Sequence, residues 1–420
     1  MRKFTTLKVS PIFKIFLDLL FALAILIFFT STLLFADTCA EFGRLRAEFY
    51  RLLGNSKPPS KFNCHLLNSD RLRLEFKLYL KNIVSLNEVA LEDKIFKLLK
   101  FIPVDFDQWR CQYNLPTSFY HGKKRAFYID DLFPQNSDEA LFLLVSELLE
   151  RRYKLSPIDR FWSQSFDRSL ALAALRGGLV AVLGENQPVA DIFKNHQAYF
   201  ESRSLPKKDE LEDNSFGGGD KQSQCEAGEG YDRLLNFPID FGRLYLLRKF
   251  EAGGLNSIFD LLKNPPSTSA EIFSYVYSVS IRKELFQVAP LAEEVKIFDT
   301  VWRKVYKTNL GQFFIRSLLG VHLTDAEAIL ASKGWRGDLA ELYQRVPLKH
   351  GQRVENLLIW QVKFNNQQSA LRAYGLLVKF IERIFRVQLS PESRLSYATI
   401  GGVKLILGLS DTSVIKLIVS

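Results

Sequence analysis

The chain has 420 residues, 47% of them hydrophobic, ample for a sizeable core in one large domain or two smaller ones. Its 56 basic and 46 acidic residues leave a formal charge of +10, a balance that admits nucleic acid or an anionic membrane as a partner. The charges are interspersed, the longest basic runs (Lys123-Lys124-Arg125 and Arg151-Arg152) are too short for a stripe, and no nucleic-acid-binding signature is present, so the excess reads as a solvated surface with no nucleic-acid partner.

Arg2, Lys3, Lys8 and Lys14 precede an apolar run from Ile15 to Ala36 that carries one charge, Asp18. About 20 apolar residues span a bilayer core, whereas a signal peptide has an apolar region of about 7–15, and Leu34-Phe35-Ala36 is a poor cleavage triplet. Residues 1–36 are therefore expected to be a signal anchor, with the N-terminus cytoplasmic and the body on the periplasmic side of the inner membrane; cleavage and release into the periplasm is the alternative. Export permits disulfides among Cys39, Cys64, Cys111 and Cys225. Their spacing matches no zinc pattern and leaves all pairings open.

From 37 to 200 the pattern is mostly helical. "CAEFGRLRAEFYRLLG" spaces Phe42, Leu45, Phe49 and Leu52/Leu53 as one helix face, "RLRLEFKLYLKNIVSL" reads as strand or helix, and "EDKIFKLLKFIPVDFD" is a short helix stopping before Pro103. A β-hairpin over 117–131 feeds the helix "ALFLLVSELLERRYKL" (140–155), and a second helix follows over about 157–184. Residues 201–232, rich in Gly, Ser, Lys and acids, read as a flexible linker. The part from 233 to 420 reads as amphipathic helices to about 385, then strands joined by Gly and Ser-Asp turns.

Several short pieces occur in a characteristic order: Ser118-Phe119-Tyr120, Ala174-Leu175-Arg176-Gly177-Gly178, Phe237-Pro238, Gly253-Gly254, Pro265-Pro266-Ser267-Thr268-Ser269 with Ile272, and Gly334-Trp335-Arg336-Gly337-Asp338. From about residue 90 onward this frame resembles a group of bacterial zinc metallopeptidases of the gluzincin type. The resemblance implies a mainly α (α+β) fold, with a small hairpin beside the metal helix. It also implies an HExxH helix followed by a second helix carrying a glutamate ligand. Tyr153 and Leu155 match the end of the family's metal helix and set the register. The first histidine then falls on Phe142, the general-base glutamate on Leu143, the second histidine on Ser146 and the third ligand on Gly177. All four positions are degenerate. The later Trp-Asp region departs as well, reading Trp360, Phe364, Asn365 and Ser369-Ala370.

A catalytic zinc needs about three N, O or S ligands, an open position for water and a base; Phe and Leu offer none of these. No two of His65, His121, His196, His322 and His350 are spaced as a helical ligand pair, and His121 is expected to be exposed at the hairpin turn. Glu147 and Glu150, beside Arg151 and Arg152, read as a solvated salt-bridged face. Ser146 has no base beside it, and Gly217-Gly218-Gly219 lacks the rest of a phosphate loop. The expectation is a pseudopeptidase without metal or cofactor. It would bind a protein partner in the cell envelope as a scaffold or accessory subunit, and the membrane through its N-terminal helix. Two alternatives stand beside it: a hydrolase with a relocated site, which an acid pair facing one pocket would favour, and a membrane-complex subunit acting through its transmembrane helix, for which Asp18 is the hint.

Overall fold

A computed structural model of the protein describes residues 38–54, 61–83, 85–108, 118–130, 137–155, 165–195, 228–276, 302–345, 354–389, 394–400 and 403–420. The expected anchor (1–36), most of the expected linker (201–227), Cys111 and Cys225 lie outside the described residues. Among the described residues no helix is long and apolar enough to cross a membrane.

The fold is mixed α and β, with two separate sheets. Helix α1 (38–52) buries Phe42, Leu45 and Phe49, the stripe its spacing defines. Cys39 at its start is disulfide-bonded to Cys64 in β1 (Asn63–Leu67), with Cα atoms 5.8 Å apart. Closing a loop of 25 residues restricts the unfolded chain by roughly 3 kcal/mol. Cys39→Ser/Cys64→Ser is therefore expected to lose about 3 kcal/mol in denaturant unfolding; an unchanged midpoint would mean that the bond constrains nothing.

The sequence "RLRLEFKLYLKNIVSL" resolves as helix: α2 (Ser69–Ile83) buries Leu72, Phe76, Tyr79 and Leu80. After α3 (Leu86–Leu98) come β2 (Phe119–His121) and β3 (Ala126–Asp130), the expected hairpin, turning over Gly122–Arg125. A strand not foreseen, β1, adds parallel to β3, giving the order β1-β3-β2. Side chains alternate along β3: Ala126 and Tyr128 meet α2, while Phe127 and Ile129 enter the main core.

Helix α4 (Ser137–Glu147) widens into a π-turn at Leu148–Arg152. Helix α5 (Phe166–Glu185), capped by the Ser165 side chain, crosses both α4 and the long α7 (Glu229–Lys263), with the short α6 (Gln187–Asn195) between α5 and α7 in the chain. Helix α7 starts inside what the sequence suggested was linker. It breaks at Gly253-Gly254, where φ of Gly254 is +60°, and the Ser257 hydroxyl donates across the break to the Lys249 carbonyl (2.7 Å).

The second half is not helical up to 385. After α8 (Ser269–Val276) comes β4 (Trp302–Thr308), then α9 (Gly311–Gly320), α10 (Asp325–Ser332), β5 (Trp335–Arg345), β6 (Glu355–Phe364), α11 (Gln367–Phe385), β7 (Leu395–Ile400), β8 (Val403–Leu409) and β9 (Val414–Val419). The strands form one antiparallel sheet ordered β4-β5-β6-β9-β8-β7, with α11 against β6, β8 and β9. An aromatic column joins the two halves: Phe96 and Phe166 pack on Phe314, which meets Trp360.

Candidate functional site

The four positions where the resemblance would place zinc chemistry lie on α4 and α5. Phe142 is half-buried, and the Arg176 guanidinium of α5 lies over its ring, 4.6 Å from the centroid. Leu143 is buried in the core. Ser146 is buried, and its hydroxyl donates back to the Phe142 carbonyl (2.8 Å), the usual resting place of a helix serine.

Gly177 does not stand opposite Phe142. It faces α7, where a Cβ would lie 2.9 Å from the Pro238 carbonyl oxygen. One turn of close approach continues through Gly178 and Gly242, each with its α-carbon against backbone of the other helix. Phe237-Pro238 and the two glycines are thus one helix-crossing device. Gly178→Ala is expected to push the helices apart and cost roughly 1–3 kcal/mol; a neutral result in thermal unfolding would refute the close crossing.

Arg176 is half-buried against α4. Burial lowers its pKa, while Glu150 and, more weakly, Tyr79 act in the other direction. Glu150 is half-buried, with its carboxylate against the hairpin turn at Gly122. His121, expected at an exposed turn, is buried at the end of β2. Its ring lies 4.4 Å from that of Tyr79, and its Nδ1 accepts from the Lys124 amide (3.4 Å).

Glu147 is not on a solvated face. It is wholly buried and accepts two bonds from Arg46 of α1 (Nε, 2.6 Å; Nη2, 2.7 Å) and one from Arg151 (Nη1, 3.0 Å). Arg151 also donates to the Lys61 carbonyl (3.1 Å), and the Arg46 guanidinium lies over the Tyr50 and Phe62 rings. The buried phenols of Tyr50 and Tyr120 border this cluster. Burial, then the Glu147 charge, pushes both pKa values up, so both stay protonated. The cluster joins α1 to α4 and offers no nucleophile.

A second polar cluster gathers most of the remaining pieces of the frame. Asp338 of the Gly-Trp-Arg-Gly-Asp piece is buried and accepts from the amides of Leu310 (2.8 Å) and Gly311 (3.0 Å) at the start of α9, and from Trp360 Nε1 (3.0 Å). Asp167, in the first turn of α5, accepts from the amide (2.9 Å) and the hydroxyl of Ser269, the first residue of α8. The Ser269 hydroxyl in turn accepts from the Phe313 amide (3.4 Å). The amides of Phe166 and Asp167 donate to the Thr308 hydroxyl and the Asn309 carbonyl (both 2.9 Å). The starts of α8 and α9 therefore each meet a carboxylate, Asp167 from the first turn of α5 and Asp338 from β5, which suits the partial positive charge of their free amides. Burial, joined by the Asp338 charge and opposed by the bonds from Ser269, pushes Asp167 up to about 7. This is an acid pair that the sequence alone did not bring together. Both members are buried and accept from helix amides, so the pair acts as a clasp between helix starts.

Among the described residues no group of three His, Cys, Asp or Glu side chains is placed to hold a metal ion. Cys64 is committed to Cys39, and its neighbour His65 is exposed with its ring against Tyr128. No family profile, curated protein or solved structure matches the chain.

Proposed function

We propose that the protein is a membrane-anchored, extracytoplasmic relative of gluzincin-type peptidases that has lost its zinc site and serves as a binding or accessory subunit of an envelope complex. The observation that carries this reading is the stack of Arg176 on Phe142. A guanidinium lies over the side chain at the first ligand position, and its positive charge would oppose a divalent cation held there. The third ligand position is closed by Pro238, so a glutamate at Gly177 would have to part α5 from α7. The Cys39–Cys64 bond fits an oxidising compartment and starts three residues after the apolar run ends.

The test is metal content and oligomeric state. Full-length protein purified without chelator is expected to carry no stoichiometric zinc. Phe142→His/Ser146→His is expected to bind zinc at least ~10-fold more weakly than the same variant with Arg176→Ala added. Equal affinities, or zinc in the unaltered protein that is lost on changing a His, Asp or Glu, would overturn the inactive reading. Extraction from native membranes in mild detergent should give a particle larger than the chain alone; a monodisperse monomer would remove the accessory-subunit part.

A further inference from the structure

Helix α2 has two faces. Leu72, Phe76, Tyr79 and Leu80 are buried against the first sheet. On the opposite side Leu74 and Leu78, one turn apart, are 56% and 45% exposed. Arg71, Arg73, Lys77 and Lys81 flank them, all exposed. Asp70 and Glu75 are the acids on the helix, and Glu75 reaches Lys124 of the hairpin turn (Nζ–Oε2, 3.5 Å). That contact sets the exposed Lys123-Lys124-Arg125 beside α2. A basic run too short to form a stripe in sequence is thus continued in space by a leucine-centred basic helix.

We propose that this face of α2, with the hairpin tip, docks on the anionic lipid surface of the membrane that holds the chain. Apolar side chains at the centre with cations around them is the arrangement by which a helix lies in the headgroup layer. Position supports a lipid surface over a protein partner, and this step rests on the anchor reading of residues 1–36. From Ala36 to Cys39 the chain reaches at most ~11 Å, and from Cys64 to Ser69 at most ~18 Å. The disulfide between them holds their Cα atoms 5.8 Å apart. The start of α2 thereby lies within roughly 35 Å of the point where the apolar run ends. The Ser69 hydroxyl bonds Asp130 Oδ2 (2.9 Å), which fixes α2 to β3 and keeps its solvent face in place.

The experiment uses full-length chain, with Cys111 and Cys225 changed to Ser, the Cys39–Cys64 bond intact, and Leu78→Cys carrying an environment-sensitive fluorophore. It is reconstituted into vesicles of equal parts phosphatidylglycerol and phosphatidylcholine, and into phosphatidylcholine alone. In the anionic vesicles the emission is expected to shift to the blue and to be quenched by spin-labelled lipid. In neutral vesicles, or with Arg71→Gln/Arg73→Gln/Lys77→Gln/Lys81→Gln, the docked population is expected to fall at least ~10-fold, since each basic residue near such a surface contributes about 1 kcal/mol. Protein that floats with both vesicle types while position 78 stays in water overturns this proposal alone and leaves the face to a protein partner. Protein that floats with neither overturns the anchor reading and this proposal together. Equal docking in neutral and anionic vesicles removes the anionic lipid.

Discussion

Asp338→Asn is expected to destabilise the protein by about 3–5 kcal/mol, as breaking a buried charged network does. The same isosteric change at Asp167 is expected to stabilise it at alkaline pH. The difference follows from what each carboxylate meets. Asp338 accepts on both oxygens from three donors, two amides at the start of α9 and the Trp360 indole. An asparagine keeps one acceptor and turns its NH2 toward at least one N–H, so it loses charge-assisted bonds and strands a buried donor. Asp167 spends one oxygen on Ser269 and leaves Oδ2 buried without a partner. Its folded pKa of about 7 lies above its ordinary value of 3.8. The folded state then binds more protons than the unfolded one between those values, so stability falls as pH rises from about 4 to about 7. Asp93, raised to about 6 chiefly by burial, acts in the same direction. Glu92 and Asp338, both raised by burial, add to the slope, so Asp167→Asn should remove part of it and gain about 2–4 kcal/mol at pH 8, with little change at pH 4. Urea unfolding of both variants across pH 4–8 measures this. A stable Asp338→Asn, or an Asp167→Asn that keeps the wild-type slope, would show that the clasp is assigned wrongly.

The elements most legible in the sequence are those whose burial follows one period. The stripe of α1 and the hairpin before α4 are of this kind, because local spacing alone decides which face turns inward. "ENLLIWQVKF" is a near-continuous apolar run, and burial on both faces of a strand erases the alternation that separates it from a helix, so β6 and its neighbours were read as helical. The strand β1 is five residues with a weak pattern, held by pairing to β3 and by the disulfide. At the candidate site the side-chain types at 142, 143, 146 and 177 exclude ligands on inspection. The occupant of the space does not follow from them: Arg176 is one residue from a position that was singled out, and its direction depends on how α5 packs on α4 and α7. The motif residues Ser269 and Asp338 are separated by a long stretch of chain, and only the fold shows that both serve the start of α9. Arg46 and Glu147 were least legible, since a charge beside a helix stripe reads as solvated unless its partner, 101 residues away, is known.

That pair yields the other large effect. Arg46→Ala is expected to cost about 3–5 kcal/mol, because Glu147 stays wholly buried with the two hydrogen bonds from Arg46 gone and the one from Arg151 left. Arg151 cannot compensate: it already donates to Glu147 Oε1 and to the Lys61 carbonyl, and Oε2 faces the vacated space. Glu147→Ala should be comparable, since it takes from the buried Arg46 guanidinium, packed on Tyr50 and Phe62, its bidentate bond to Glu147. Replacing both partners by apolar residues of similar shape, Arg46→Met/Glu147→Leu, removes the uncompensated charge along with the bond. It should recover to within about 1–2 kcal/mol of the unaltered protein, with Arg151 turning to solvent from its 12% exposed position. The non-additivity is the signature: two singles that each cost several kcal/mol and a double that costs less than either. Denaturant midpoints of the four proteins in one buffer measure it. A double variant as unstable as the sum of the singles would mean that the charges hold α1 on α4 through something other than each other, and the buried pair would lose its role as the joint between the disulfide-bonded start of the chain and the helix that carries Phe142.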